Sequence, residues 1–132
     1  MTKIFNSFSV VGGIVGGFLC DFLGGWDVIL KALVALVILD YVTGVLKAIY
    51  TKTLSSSIGF KGLIRKIVIF IVVATAVIIQ TVVGDAVPLR EIVIIFFMCN
   101  EGISLLENAS EFVPIPDKLK ETLVQLRDKE ED

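Results

Sequence analysis

The run VILKALVALVILDYVTGVLKAIY, Val28–Tyr50, is 23 residues long, and its charged members are Lys31, Asp40 and Lys47. A helix needs about 20 largely apolar residues to cross the hydrocarbon core of a bilayer, and a lysine near its end can carry the ammonium out to the headgroups. Two further runs have the same character: 63–83, headed by Arg65 and Lys66, and 87–106, whose second half is interrupted by Asn100 and Glu101. Residues 63–83 are rich enough in β-branched side chains to pass for a strand in water. In hydrocarbon an unpaired strand leaves its backbone N–H and C=O groups without partners, so the helix is the form these runs can take. The sequence therefore predicts an all-α integral membrane protein with three transmembrane helices, the second and third joined as a hairpin by the short turn at 84–88. Composition agrees: 55% of the residues are hydrophobic and the mean hydropathy is +0.89, against roughly 45–50% apolar in soluble domains.

The net charge of -2 conceals a division along the chain. Residues 47–66 carry Lys47, Lys52, Lys61, Arg65 and Lys66 and no acid, whereas 107–132 carries eight acids against four bases. Short loops rich in Lys and Arg stay in the cytoplasm, so those five basic residues are read as the topology signal. Alternation then puts the turn around Asp85 outside and the tail, 107–132, inside. Pro114 and Pro116 close the membrane part, and Leu119, Leu123 and Leu126 give 117–127 one apolar stripe on a short charged cytoplasmic helix.

Ahead of the first span, residues 1–27 include GGIVGGFLCDFLGG at 12–25. At 3.6 residues per turn, Ile4, Phe8, Val11, Val15, Phe18 and Phe22 form one stripe. Ser9, Gly12, Gly13, Gly16, Gly17, Cys20, Asp21 and Gly24 form the other. Glycine costs up to about 1 kcal/mol in a helix interior in water, but in lipid the backbone must bond internally and a bare face lets two helices approach closely. Gly12/Gly16 and Gly13/Gly17 both have the G-x-x-x-G spacing. The segment is expected to be an amphipathic, glycine-faced helix that either crosses and packs against other helices or lies flat in the outer leaflet with its phenylalanines in lipid. Phe18 and Leu19 before Cys20 do not suit a lipoprotein site and no A-x-A-like cleavage site is evident, so it is expected to be retained.

Catalytic chemistry finds no foothold. There is no histidine, Cys20 and Cys99 have neither CxxC nor metal-ligand spacing, and the Ser-rich stretch from Ser55 to Gly59 lacks the GxxxxGK[ST] pattern of a phosphate cradle. Nothing pairs a nucleophile with a base. No enzyme activity, cofactor, metal or nucleic-acid partner is expected. The polar groups inside apolar runs matter more, because an Asp at the centre of a membrane helix costs at least about 2.5 kcal/mol. Asp40 is deep enough to require an interhelical partner or a hydrated lumen. Asn100 and Glu101 lie within two turns of the inner end, where water is in reach, and Asp21 sits on the glycine face. Two acids on different spans, Asp40 and Glu101, also fit a proton or cation relay.

At these residues the chain resembles the phage-lysis and toxin-secretion holin family. LDYVTGVLKAIYTKTLSSSIGFKGLIRK, 39–66, carries an acid and Thr43-Gly44 near the end of one span, a basic Ser-rich linker, then Gly-Phe-Lys-Gly and a basic pair opening the next. NEGISLLENA, 100–109, and VPIPDKLKETL, 113–123, are similar to the family's third-span ending and its entry into a charged tail; the likeness covers about 28–127. The resemblance implies a protein that accumulates in the bacterial cytoplasmic membrane, forms homo-oligomers, and opens a lesion. Through it an endolysin, or in some relatives a toxin, leaves without necessarily touching the protein. Gly12, Gly13, Gly16, Gly17, Asp21, Asp40, Thr43, Gly44, Asn100 and Glu101 are the candidate oligomerisation or pore residues. A small ion channel or transporter using Asp40 and Glu101 and a membrane anchor recruiting a partner through its tail are the alternatives.

Overall fold

The computed structural model describes residues 2–131. These form α1 (Thr2–Phe22), α2 (Val28–Tyr50), α3 (Ser56–Val83), α4 (Leu89–Ala109) and α5 (Asp117–Glu131), with no strand among the described residues. Local chemistry sets the boundaries. The carboxylate of Asp27 accepts from the Leu30 N–H at 3.1 Å and caps α2, and the Ser55 hydroxyl accepts from the Ile58 N–H at 3.2 Å and caps α3. That cap starts the second expected span at Ser56, seven residues before the expected 63. The resulting 28-residue helix is about 42 Å long, more than a hydrocarbon core of about 30 Å requires. Between α1 and α2 the chain turns through Gly24 (φ +90°) and Gly25 (φ +107°), a backbone region that disfavours any side chain.

Three helices are long and apolar enough to cross a membrane: α1, α2 and α3. The set differs from the expected one at two places. The glycine-faced α1 belongs to it, while α4, with Arg90, Glu91, Glu101 and Glu107 along its length, does not. The physical reason lies in packing. α4 is the centre of the bundle, contacting α2, α3 and α5; Arg90, Glu101 and Glu107 find partners at the α2 cap and on α3 and α5, while Glu91 pairs with Arg90 on α4 itself.

Hydrogen bonds show that α2 and α4 run parallel, with α3 antiparallel to both. Leu30, Leu33 and Val37 of α2, Ile69 and Val73 of α3 and Ile94 of α4 make the core, with Phe70, Val93, Phe97 and Met98 packed around it. Outside, the bundle is covered by Ile38, Val42, Ile67, Ile71, Ile78 and Val82, all exposed. An apolar envelope of this extent is a liability in water and the required exterior in lipid. Helix α5 folds back along α4. Leu123 lies against Gly102, Lys120 pairs with Glu107 at 3.0 Å, and Arg127 donates to Asn100 at 3.2 Å.

Candidate functional site: two polar clusters in the bundle

Each core helix turns one stripe at heptad-like spacing towards the bundle, and each stripe contains polar residues: Asp27, Leu30, Leu33, Val37, Asp40 on α2 and its cap; Lys66, Ile69, Val73, Ala76, Gln80 on α3; Arg90, Ile94, Phe97, Glu101 on α4. When the stripes meet, the polar residues collect into two clusters separated by the apolar core.

The first lies towards the α2–α3 turn. The Lys66 ammonium donates to both Asp40 and Glu101, the latter at 2.6 Å, joining three helices through one cation. All three side chains are nearly sequestered, at 11%, 8% and 8% exposure. The Asn108 carboxamide donates to the second Asp40 oxygen at 3.1 Å and to the Thr43 hydroxyl at 3.2 Å, while that hydroxyl donates back to the Leu39 carbonyl at 2.8 Å. Gly44 lies beside Asn108. A buried ion is tolerable only when paired and hydrogen-bonded, and here every carboxylate oxygen of Asp40 has a donor.

The second cluster sits where α1, α2, α3 and α4 converge. Arg90 donates through Nε to the Leu23 carbonyl at 2.6 Å and through Nη2 to the Gly25 carbonyl at 3.0 Å, satisfying backbone acceptors just past the end of α1. Its Nη1 and Nη2 reach the two Asp27 oxygens at 2.8 and 3.1 Å, the forked geometry that suits a guanidinium. That arrangement holds the Asp27 carboxyl down at about 2, chiefly through the Arg90 hydrogen bond. Gln80 accepts from the Arg90 backbone N–H at 2.9 Å and donates to Asp85 at 3.0 Å, adding α3 and its turn. A side chain at Gly24 would land on the Arg90 stem, so the glycine is needed for close approach as well as for its backbone angle.

The candidate residues thus divide. Asp40, Thr43, Gly44 and Glu101 come together. Asn100 does not join them; it faces α5 and accepts from Arg127. Lys66, read from sequence as part of the topology signal, is instead a buried interhelical counter-ion, because its place on the α3 stripe turns it inward. Lys52, Lys61 and Arg65 are exposed, as that signal requires, and Lys47 approaches Glu111 at 3.9 Å. Asp21 is exposed. Around Gly12, Gly13, Gly16 and Gly17 an added side chain would meet no described atom within 4 Å, so the glycine face is bare in the single chain. Arg90 was not singled out in the sequence, where it stands near the start of a span whose interruptions were read at Asn100 and Glu101.

An all-helical fold with a lipid-compatible exterior, three helices able to span and its buried charges paired between helices is that of a membrane protein. A sequence profile described as the bacteriophage holin family matches residues 17–128, and the chain belongs to that family. It is 41% identical over 108 residues to an uncharacterised 14.9 kDa protein of the nagH 3′ region of Clostridium perfringens, covering 80% of this chain and 82% of the relative. An uncharacterised Listeria monocytogenes protein, Lmo0128, is 38% identical over 94% of this chain and 85% of its own. A protein of Bacillus phage phi105 called a probable holin is 35% identical over 71% of this chain and 70% of its own length. No solved structure matches the chain.

Proposed function

We propose that copies of this chain assemble in the bacterial cytoplasmic membrane and open a lesion that lets a cytoplasmic endolysin reach the cell wall, with no catalytic step of its own. The family resemblance also admits a secreted toxin as cargo. The observation that carries this reading is α1, a helix apolar enough to span that buries none of its residues in its own bundle. Between membrane helices lipid provides no hydrophobic driving force, and small residues that admit close backbone contact supply much of the attraction. Gly12, Gly13, Gly16 and Gly17 offer such a face for a second copy. In this reading the α2–α3 turn, with Lys52, Lys61 and Arg65, and the helix α5 face the cytoplasm.

Induced expression in bacteria, with and without a cytoplasmic endolysin, tests the reading. Abrupt lysis that needs both proteins is expected. Gly13→Leu or Gly17→Leu should accumulate in the membrane normally, crosslink into weaker oligomers and lyse late or not at all, while Val15→Leu on the opposite stripe lyses on time. Collapse of ion gradients with the endolysin retained would replace the lesion with a small channel.

A further inference from the structure

Towards the turn that joins them, α2 and α3 each lean on α4 and touch one another little. Between them is an open cleft of about 230 Å³, floored by Ser104 and Asn108 of α4 and walled by Val45, Ala48, Leu54 and Ile58. Gly44, Gly59 and Gly62 also line it. Helix packing does not require them to be glycine, since a Cβ would approach its nearest neighbour at 3.6, 3.5 and 3.7 Å respectively, which is ordinary contact. A glycine in a helix interior costs about 1 kcal/mol relative to alanine, so what these residues provide is the open space.

The charge left unpaired in the cleft is that of Arg65, set beside the Lys66, Asp40 and Glu101 cluster, whose acids outnumber its lysine by one. Arg65 lines the cleft, is exposed, and forms no ion pair among the described residues. Lys66 is committed to Asp40 and Glu101, and the Asp40 carboxylate at the edge of the floor has its oxygens taken by Lys66 and Asn108. The hydroxyl of Ser104 is in no hydrogen bond among the described residues. Level matters too. The uninterrupted apolar part of α3, 67–83, is about 25 Å long, and Arg65 lies just beyond its end, where a long basic side chain can reach the headgroups. Basic pockets between membrane helices at that depth suit anionic lipid headgroups.

We propose that this cleft binds the phosphate of an anionic phospholipid, with Arg65 supplying the charge, Ser104 a hydroxyl donor, and the apolar wall receiving the first methylenes of an acyl chain. The site stands whether or not the chain opens lesions, and its test does not involve lysis. The whole chain, purified in a neutral detergent, is titrated with dioleoyl phosphatidylglycerol or dioleoyl phosphatidylcholine, and bound lipids are counted by native mass spectrometry. One phosphatidylglycerol should bind about five- to tenfold more tightly than phosphatidylcholine, and Arg65→Gln should remove that preference. Gly62→Leu, which fills the cleft without altering charge, should weaken binding to a similar extent, with helix content checked by circular dichroism. Lys61→Gln, outside the cleft, should change it less than about twofold. Equal affinity for the two lipids, or an unchanged preference in Arg65→Gln, overturns the proposal. Displacement by inorganic phosphate at concentrations matching the lipid also overturns it, in favour of a free-anion site.

Discussion

The two polar clusters are built on one plan, a single cation drawing several helices together, yet they differ in how much water can help. Arg90 is balanced by Asp27 and Glu91 and by two backbone carbonyls, at a place where helices end and the two acid side chains are 49% and 42% exposed. Lys66 faces two acids at mid-helix, each 8% exposed, so the ionised cluster carries one more negative than positive charge. The first is a joint that ties α1's end to the bundle. The second is a clamp whose lysine has only the two acids, with Asn108 holding the other oxygen of Asp40. Their spacing is also informative: along α2, α3 and α4 the stripe positions of the two clusters are 13, 14 and 11 residues apart, or roughly 17–21 Å. That is less than the roughly 30 Å of hydrocarbon. Both polar layers therefore cannot lie outside an undisturbed core, which is why each group needs a partner from a neighbouring helix.

The sharpest way to break this comparison is Lys66→Met. Removing the shared cation leaves Asp40 and Glu101 buried beside one another, and breaking a buried ion pair from one side costs about 3–5 kcal/mol. The variant should be depleted from the membrane fraction and should lose helix at lower denaturant in mixed micelles. Adding Asp40→Asn and Glu101→Gln should restore much of the loss, because no buried charge then remains. A single Lys66→Met variant with wild-type abundance and unfolding midpoint would show that the clamp is solvated.

Arg90→Met should have a smaller effect. Asp27 and Glu91 can turn to water and the Gly25 carbonyl keeps the Asp27 N–H at 3.1 Å, so the principal loss is the donor to the Leu23 carbonyl, about 1–3 kcal/mol for an acceptor left unsatisfied. Because α1 touches the bundle little beyond this joint, the variant should become readily cleaved by protease at Gly24-Gly25 while α2–α4 resist. If Arg90→Met proved more damaging than Lys66→Met, the ranking of joint and clamp would be reversed.

Much of this arrangement was legible in the sequence and some was not, for identifiable reasons. The limits of α2 follow from a long apolar run, and the demand for an interhelical partner at Asp40 follows from its depth. Lys66 was misread because adjacency to Arg65 makes a basic pair in sequence, whereas on a helix the two point about 100° apart and only Lys66 lies in register with Ile69 and Val73. Arg90 escaped because hydropathy averages over a helix's circumference, while its burial depends on carbonyls of a turn 65 and 67 residues earlier. The glycine face of α1 was readable as a face because its spacing follows the helical period, and in the single chain nothing described lies against it.

The smallest effect concerns acid. The Arg90 hydrogen bonds and charge lower the Asp27 carboxyl from an ordinary 3.8 to about 2 in the folded chain. A carboxyl lowered on folding contributes stability that is fully present above its unfolded value and is lost as the pH falls through the folded value. The contribution of this pair should therefore fade between about pH 4 and pH 2, and water screening of the half-exposed carboxylate keeps it modest. Other carboxyls titrate in the same window, so the measurement is a difference: the unfolding midpoint of the wild type minus that of Asp27→Asn, followed through that range. The difference should shrink on acidification and should be flat in an Arg90→Met background, where the cation that lowers Asp27 is gone. A difference that persists unchanged to pH 2 would mean that it does not come from the Asp27 charge held by Arg90, and the joint would then be a backbone feature with an incidental ion pair.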